Sequence, residues 1–152
     1  MPGPTPPVPD SPELRGIDHA LTAVGDRWSL AVIAALLGGP LRYGELQQQL
    51  GRVAPNVLAK RLRDLEAEGL LVARPYSERP PRFEYELTES GTELAGAIRL
   101  LSDWGARHAG EEGDAPRHAV CGTSLHARWF CPACEVVVDE DGLEGEDDLV
   151  YA

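Results

Sequence analysis

The chain has 152 residues, a hydrophobic fraction of 43% and a formal net charge of −11. This length suits one modest domain with an appendage, and the apolar content is typical of a packed protein. The longest apolar run, LAVIAALL at residues 30–37, is much shorter than the roughly 20 residues that a membrane helix needs. The first residues, MPGPTPPVPDSP, lack the basic and apolar regions of a secretion signal. We therefore expect a cytoplasmic protein that does not contact a membrane.

The net charge conceals opposite local charges. Residues 41–82 carry eight basic and five acidic side chains, whereas residues 110–152 carry two basic and eleven acidic ones. The total charge argues against nucleic acid as a partner, but the basic middle region is compatible with it. The acidic residues 139–152 indicate a solvated, disordered tail.

The first half of the chain predicts three helices after an irregular start. Residues 1–15 form a proline-rich arm, which we interpret as disordered. A helical pattern covers residues 17–24. Residues 28–37 predict a second, buried helix that ends at the Gly-Gly-Pro sequence which follows. A short helix is expected from about residue 43 to Leu50.

The next elements predict a helix and a hairpin. The helix over residues 55–68 begins with a proline at its first turn and ends before a glycine. Residues 70–76 and 83–87 predict two strands on either side of the turn SERPPR, and Thr88 caps a long final helix. This order predicts a helix-turn-helix followed by a two-stranded wing, within a domain over residues 16–109.

The helix over residues 55–68 separates an apolar face from a polar one. Its buried face consists of leucines spaced four and three residues apart: Leu58, Leu62 and Leu65. On another face lie Asn56, Lys60 and Arg63, of which Asn56 and Lys60 are in the first half of the helix, where a recognition helix presents side chains to base edges. The other candidate DNA-binding residues are five arginines, mainly for phosphate contacts: Arg42, Arg52, Arg61, Arg79 and Arg82. Alternatively, such a basic face is merely solvated and paired with the acids of its own helix.

Three segments of the chain resemble a known family: GDRWSLAVIAALLGGPLRYGEL, VAPNVLAKRLRDLEAEGLL and PPRFEYELTESG. Residues 16–109 are similar to the HxlR-type winged helix-turn-helix transcriptional regulators, which are relatives of the MarR group. The resemblance implies double-stranded DNA as the partner and a palindromic operator. It also implies a homodimer formed through residues 17–24 and 89–108. A small-molecule effector fits this function, but the sequence identifies none. Many family members carry a cysteine near the start of the first helix. This chain reads GIDHALTAVG there, which excludes thiol sensing at that position.

Residues 110–138 contain every cysteine of the chain and predict a separate module. The spacing His-x2-Cys-x9-Cys-x2-Cys forms two pairs, as in a zinc ribbon, and a closed set of four ligands predicts a structural zinc ion. The predicted ligands are His118, Cys121, Cys131 and Cys134. His126 competes with His118 for the fourth position. A very small core is expected from Leu125, Trp129 and Phe130. The predicted fold class is therefore mainly α with a small β-wing, followed by a small zinc-ribbon-like β module.

Both parts of the chain allow another interpretation. The CPAC sequence at residues 131–134 can form a redox dithiol, but a strand signal follows it and the chain has no βαβ pattern. The alternative function is a protein-interaction adaptor that keeps the winged fold without binding DNA. The sequence contains no nucleophile–base set, open metal site or phosphate-binding loop, so we do not expect an enzyme.

Overall fold

The computed structural model describes residues 11–110 and 117–138, and it divides into two compact units, Met1–Ile98 and Arg99–Ala152. The described elements of the first unit are α1 (Pro12–Val24), α2 (Arg27–Leu36), β1 (Leu41–Arg42), α3 (Tyr43–Leu50), α4 (Pro55–Ala67), β2 (Leu71–Glu78), β3 (Pro81–Leu87) and α5 (Glu89–Glu93). Helix α6 (Ala95–His108) begins in this unit and continues into the second, which also contains β4 (Trp129–Cys131) and β5 (Val136–Val138). In the described part of the chain, no helix combines the length and apolar character needed to cross a bilayer.

Helix α1 begins earlier than its apolar pattern predicts. The side chain of Ser11 accepts a hydrogen bond from the N–H of Leu14, and Pro12 occupies the first turn. Both are favourable at a helix start, because this turn has free N–H groups and the proline has none. The last four residues of the predicted irregular arm over residues 1–15 are therefore helical, because α1 begins at Pro12. Residues 1–10 of the arm, like the predicted acidic tail over residues 139–152, lie outside the described residues.

The core of the first unit lies where α2, α3 and α4 meet the sheet. Its most deeply buried side chains are Val32, Ile33, Leu36, Leu46, Leu58, Leu62, Leu65 and Leu71. Helix α2 is nearly all apolar because it is enclosed by neighbours, as predicted. The leucine face predicted for α4 is likewise confirmed as buried. Each such side chain stabilises the fold by about 1.5–3 kcal/mol.

Three antiparallel strands form the wing sheet in the order β1-β3-β2. The β2–β3 hairpin pairs Leu71 with Leu87 at its base and Glu78 with Pro81 at its tip. The strands therefore extend into the predicted SERPPR turn, and the observed turn consists of Arg79 and Pro80 alone. Strand β1, which has only two residues, was not predicted.

Thr88 forms the predicted N-cap, but the helix that follows is divided. The Thr88 hydroxyl accepts a hydrogen bond from the N–H of Gly91 at 3.1 Å and donates one to the carbonyl of Gly69 at 2.7 Å. The single helix predicted over residues 89–108 is interrupted at Leu94, which separates α5 from α6.

The described part of the C-terminal extension consists of a short hairpin and an isolated bridge. Strands β4 and β5 pair antiparallel, and Arg117 pairs with Ser124. The prediction of a small core is wrong for these residues, because Leu125, Trp129 and Phe130 are all exposed. Trp129 and Phe130 are adjacent in one strand, so their side chains point to opposite faces and cannot both enter one core.

Candidate nucleic-acid interface and cysteine-bearing turns

Helix α4 presents a polar face on the side away from its buried leucines. Asn56, Lys60 and Arg63 are exposed, whereas Leu58 and Leu62 are buried. The Nζ of Lys60 lies 2.8 Å from the carboxylate of Asp64 one turn later. This hydrogen bond is the main reason that the pKa of Asp64 is lowered. The three side chains predicted to reach base edges therefore share one accessible face.

The start of α4 is tied to α3 by a residue that sequence reasoning did not select. The hydroxyl of Tyr43, the first residue of α3, donates a hydrogen bond to the carbonyl of Pro55 at 2.9 Å. Pro55 is the first residue of α4, so this bond joins the two helices at their amino ends. Between them, Gly51 adopts a left-handed φ of 62° that favours glycine. Tyr43 is thus a positioning residue for α4. The only sequence signal for this role was its location at the start of a predicted helix.

Arg61 differs from the other residues predicted to bind DNA. Its side chain is only 25% exposed, and its Nε and Nη1 lie 3.3 Å and 3.0 Å from Asp26 and Asp64. Asp26 also caps α2 by accepting a hydrogen bond from the N–H of Trp28. The Arg61 guanidinium therefore connects α4 to the start of α2. Since two carboxylates already engage it, this geometry does not favour the predicted phosphate contact.

The remaining predicted arginines are exposed and border the wing and the turn before α4. Arg79 and Arg82 lie at the tip of the β2–β3 hairpin, and Arg52 lies between α3 and α4. None of these three forms an ion pair within the residues that the structure describes. The guanidinium of Arg42 lies 4.4 Å from the ring centre of Tyr76, so it stacks on the wing.

The first pair of predicted metal ligands is in contact. The Nδ1 of His118 lies 3.2 Å from the Sγ of Cys121, which also lies 3.3 Å from the Oγ1 of Thr123. Hydrogen bonds from Thr123, and then from His118, stabilise the thiolate and lower the pKa of Cys121 to about 7.

The second pair lies in the turn between β4 and β5. The backbone N–H groups of Cys134 and Ala133 donate to the sulfur of Cys131 and lower its pKa. All three thiols are free. Within the described residues, no three His, Cys, Asp or Glu side chains lie close enough to hold one metal ion. The predicted ligands thus stand as two separate pairs. His126 belongs to neither turn.

Comparisons with known proteins agree with the helix-turn-helix and wing. The family described as "HxlR-like helix-turn-helix" matches residues 23–113. The uncharacterized HTH-type transcriptional regulator Rv3095 of Mycobacterium tuberculosis is 38% identical over 125 residues, covering 80% of this chain and 78% of its own length.

Two solved structures share this fold. The crystal structure of the HTH-type regulator YtcD has a TM-score of 0.58 and 33% identity, and the match covers 62% of this chain and 97% of that one. A transcriptional regulator of the MarR family from Enterococcus faecalis has a TM-score of 0.57 and 33% identity, with coverage of 70% and 96%. The predicted winged helix-turn-helix is confirmed.

Proposed function

We propose that this chain, which belongs to the HxlR-like helix-turn-helix family of transcriptional regulators, binds a palindromic DNA operator as a homodimer. The observation that carries the proposal is the exposed face of α4. It places Asn56, Lys60 and Arg63 side by side, opposite the buried leucines. In a helix-turn-helix protein the second helix lies in the major groove and its first half contacts base edges.

The proposed contacts divide into two classes. Asn56 and Lys60 lie in the first half of α4, where an amide can pair with adenine and an ammonium can donate to guanine. The exposed arginines at the wing and before α4 supply phosphate contacts, which fix position without reading sequence: Arg42, Arg52, Arg79 and Arg82. Arg63 lies further along the same face of α4. Arg61 is not in the proposed set, because Asp26 and Asp64 engage it.

Exposed apolar faces support the homodimer. On α1, Leu14, Ile17 and Leu21 recur at three and four residues and are each 44% exposed or more. On α6, Leu100, Leu101 and Trp104 are more than half exposed. Contiguous apolar surface of this kind is typical of a protein–protein interface. A twofold dimer presents two copies of α4, and the half-sites of its operator are then related by the same symmetry.

The proposal also includes one structural zinc ion in residues 117–138, with His118, Cys121, Cys131 and Cys134 as its proposed ligands. The donors in the two turns, three thiolates and one imidazole, suit zinc.

The salt dependence of binding tests the DNA-binding proposal. Four phosphate contacts in each subunit make eight in a dimer, so the slope of log K against log salt should be about −7. The measurement is fluorescence anisotropy of a labelled duplex with the full-length protein at several salt concentrations. A flat salt dependence, or no binding at low salt, would overturn the proposal and favour the adaptor that does not bind DNA.

A single substitution sharpens this test. Arg79→Ala should reduce the slope by about one per subunit, because it removes one phosphate contact. Arg27→Ala removes the same charge from an exposed position of α2, outside the proposed DNA contacts and the proposed dimer interface, and should leave the slope unchanged.

A further inference from the structure

The two cysteine-bearing turns have the same backbone geometry. The N–H of Gly122 donates to the carbonyl of His118 at 2.8 Å, and the N–H of Glu135 donates to the carbonyl of Cys131 at 2.9 Å. In each turn the acceptor is the first residue of a ligand pair, and the donor directly follows the second. Both donor residues have a left-handed backbone conformation, with φ of 69° at Gly122 and 56° at Glu135.

The correspondence extends to the residues that flank each turn. Arg117 pairs with Ser124 around the first turn, and Phe130 pairs with Val137 around the second. Each residue of the first turn has its counterpart thirteen positions later. Residues 117–124 and 130–137 are therefore two copies of one small hairpin. Their sequences, RHAVCGTS and FCPACEVV, share little besides the ligand spacing.

Glu135 shows that the second turn is held in an unfavourable conformation. A left-handed φ is uncommon for a residue with a β-carbon, and within the described residues no other residue except glycine has one. This conformation closes the turn through the hydrogen bond from the N–H of Glu135 to the carbonyl of Cys131. In the first turn the Sγ of Cys121 lies 3.3 Å from the Oγ1 of Thr123. A polar contact of this kind beside a thiolate is an outer contact that can orient a metal ligand.

We infer that His118, Cys121, Cys131 and Cys134 bind one tetrahedral zinc ion, with each hairpin copy supplying two ligands. The repeat assigns the fourth zinc ligand to His118, because His118 in the first hairpin copy corresponds to Cys131 in the second. His126 lies between the two copies and has no counterpart. Only residues 125–129 separate the copies, so the linker keeps both pairs within reach of one ion. Binding of the ion brings the two separate pairs together, since the binding of a structural zinc ion is coupled to the folding of its site. This assignment rests on the zinc component of the proposed function and not on its DNA-binding component.

Metal content of the full-length, tag-free protein tests the assignment. After purification under reducing conditions with zinc present, followed by removal of free metal, elemental analysis should give about one zinc per chain. His118→Ala and Cys134→Ser should each lose most of this zinc. His126→Ala is the matched control and should retain it. His118→Cys should also retain it, since a thiolate can replace the imidazole at a structural site.

Two further readouts make each outcome decisive. Cobalt added to the metal-free protein should give the visible absorption of a tetrahedral thiolate site in the wild type and in His126→Ala, but not in His118→Ala. Circular dichroism checks that α1–α6 are intact in every variant. Less than a tenth of a zinc per wild-type chain would overturn the assignment. Loss of zinc from His126→Ala with retention in His118→Ala would overturn it as well, and so would full retention in both. None of these results depends on DNA binding, which the anisotropy measurement tests separately.

Discussion

Lys60 and Arg61 are adjacent in α4 and have the same charge, yet the structure places them in different surroundings. Lys60 is 58% exposed, and among the residues that the structure describes it pairs along its own helix, with Asp64. Arg61 is rotated by about 100° around the helix, which directs it toward the cap of α2. A basic residue on such a helix can thus be free to contact DNA or can be held in an ion pair that stabilises the fold. A shift of one position along the helix is enough to change one situation into the other.

Lys60→Ala should weaken binding to a cognate site by about 1–3 kcal/mol, because it removes the proposed base contact. Exposed ion pairs contribute little, so the free energy of unfolding should change by less than about 0.5 kcal/mol. The measurement combines anisotropy on cognate and scrambled duplexes with urea unfolding. Equal weakening on both duplexes would assign Lys60 to phosphate instead of base contact.

Arg61→Ala should act chiefly on stability. Its loss removes the guanidinium that lies between Asp26 and Asp64 and connects α2 to α4, and we expect the free energy of unfolding to fall by about 1 kcal/mol. Binding to scrambled DNA should keep the wild-type salt slope when measured well below the unfolding temperature. A slope reduced by one per subunit, with unchanged stability, would show that Arg61 contacts phosphate after all.

At the scale of elements, the close approach of α5 to the start of β2 joins the wing to the chain that leads into α6. Gly91 of α5 is buried, and a β-carbon added there would lie 2.0 Å from the carbonyl oxygen of Leu70. Backbone cannot yield as a flexible side chain can, so this position requires glycine. The cap formed by Thr88 fixes the same junction through its bond to Gly69.

Gly91→Ala should therefore lower the free energy of unfolding by about 1–3 kcal/mol, as expected for overpacking of a tight contact. Gly96→Ala is the matched control in the next helix, because a β-carbon there meets nothing within 4 Å. It should be neutral or slightly stabilising, since alanine favours helix more than glycine does. Thermal unfolding of both variants checks this. Equal melting temperatures would show that the α5 junction is looser than the structure indicates.

Elements with a strong period were predictable from sequence, and those fixed by a single distant contact were not. The leucine spacing of α4 determines its buried face, and alternation determines most of β3. Strand β1 is too short to have a period and exists through its pairing with β3. The break between α5 and α6 at Leu94 lies between Gly91 and Gly96, but neither glycine specifies where the helix is interrupted. The bond from Tyr43 to Pro55 joins residues twelve apart, which no periodicity reports.

In the candidate site, too, features that follow from a sequence period were predictable and features fixed by a distant contact were not. Exposure of Asn56, Lys60 and Arg63 follows from the helix period once the leucines are placed. The ion pair between Arg61 and Asp26 was not predictable, because the two residues are distant in sequence. The ligand spacing of the cysteine-bearing turns predicted two pairs of ligands. The matching backbone hydrogen bonds and left-handed φ angles of the two turns were not predictable, because the two sequences share little besides that spacing.

At the scale of the whole molecule, dimerisation would turn one weak DNA-binding surface into a specific one. The exposed apolar faces of α1 and α6 are the surfaces that we propose for it. Two linked half-sites bind more tightly than either alone, because the second binding step is intramolecular.

Ile17→Glu combined with Leu21→Glu should convert the dimer to a monomer, since a charge on each partner would face apolar surface. Both positions are exposed in the single chain, so the fold should be retained. Sedimentation equilibrium measures the mass and circular dichroism the helix content. Thr22→Glu, on another face of α1, is the control and should remain dimeric. A wild-type mass equal to one chain would refute the homodimer directly.

The most direct test of the central claim is selection of bound sequences from a random duplex library by the full-length wild-type protein. An enriched inverted repeat is expected, with half-site centres about 10 base pairs or a multiple of that apart. Selection with Asn56→Ala should relax the preference at one position in each half-site. No enriched sequence, or a single unrepeated site, would contradict a homodimer that reads DNA through the exposed face of α4.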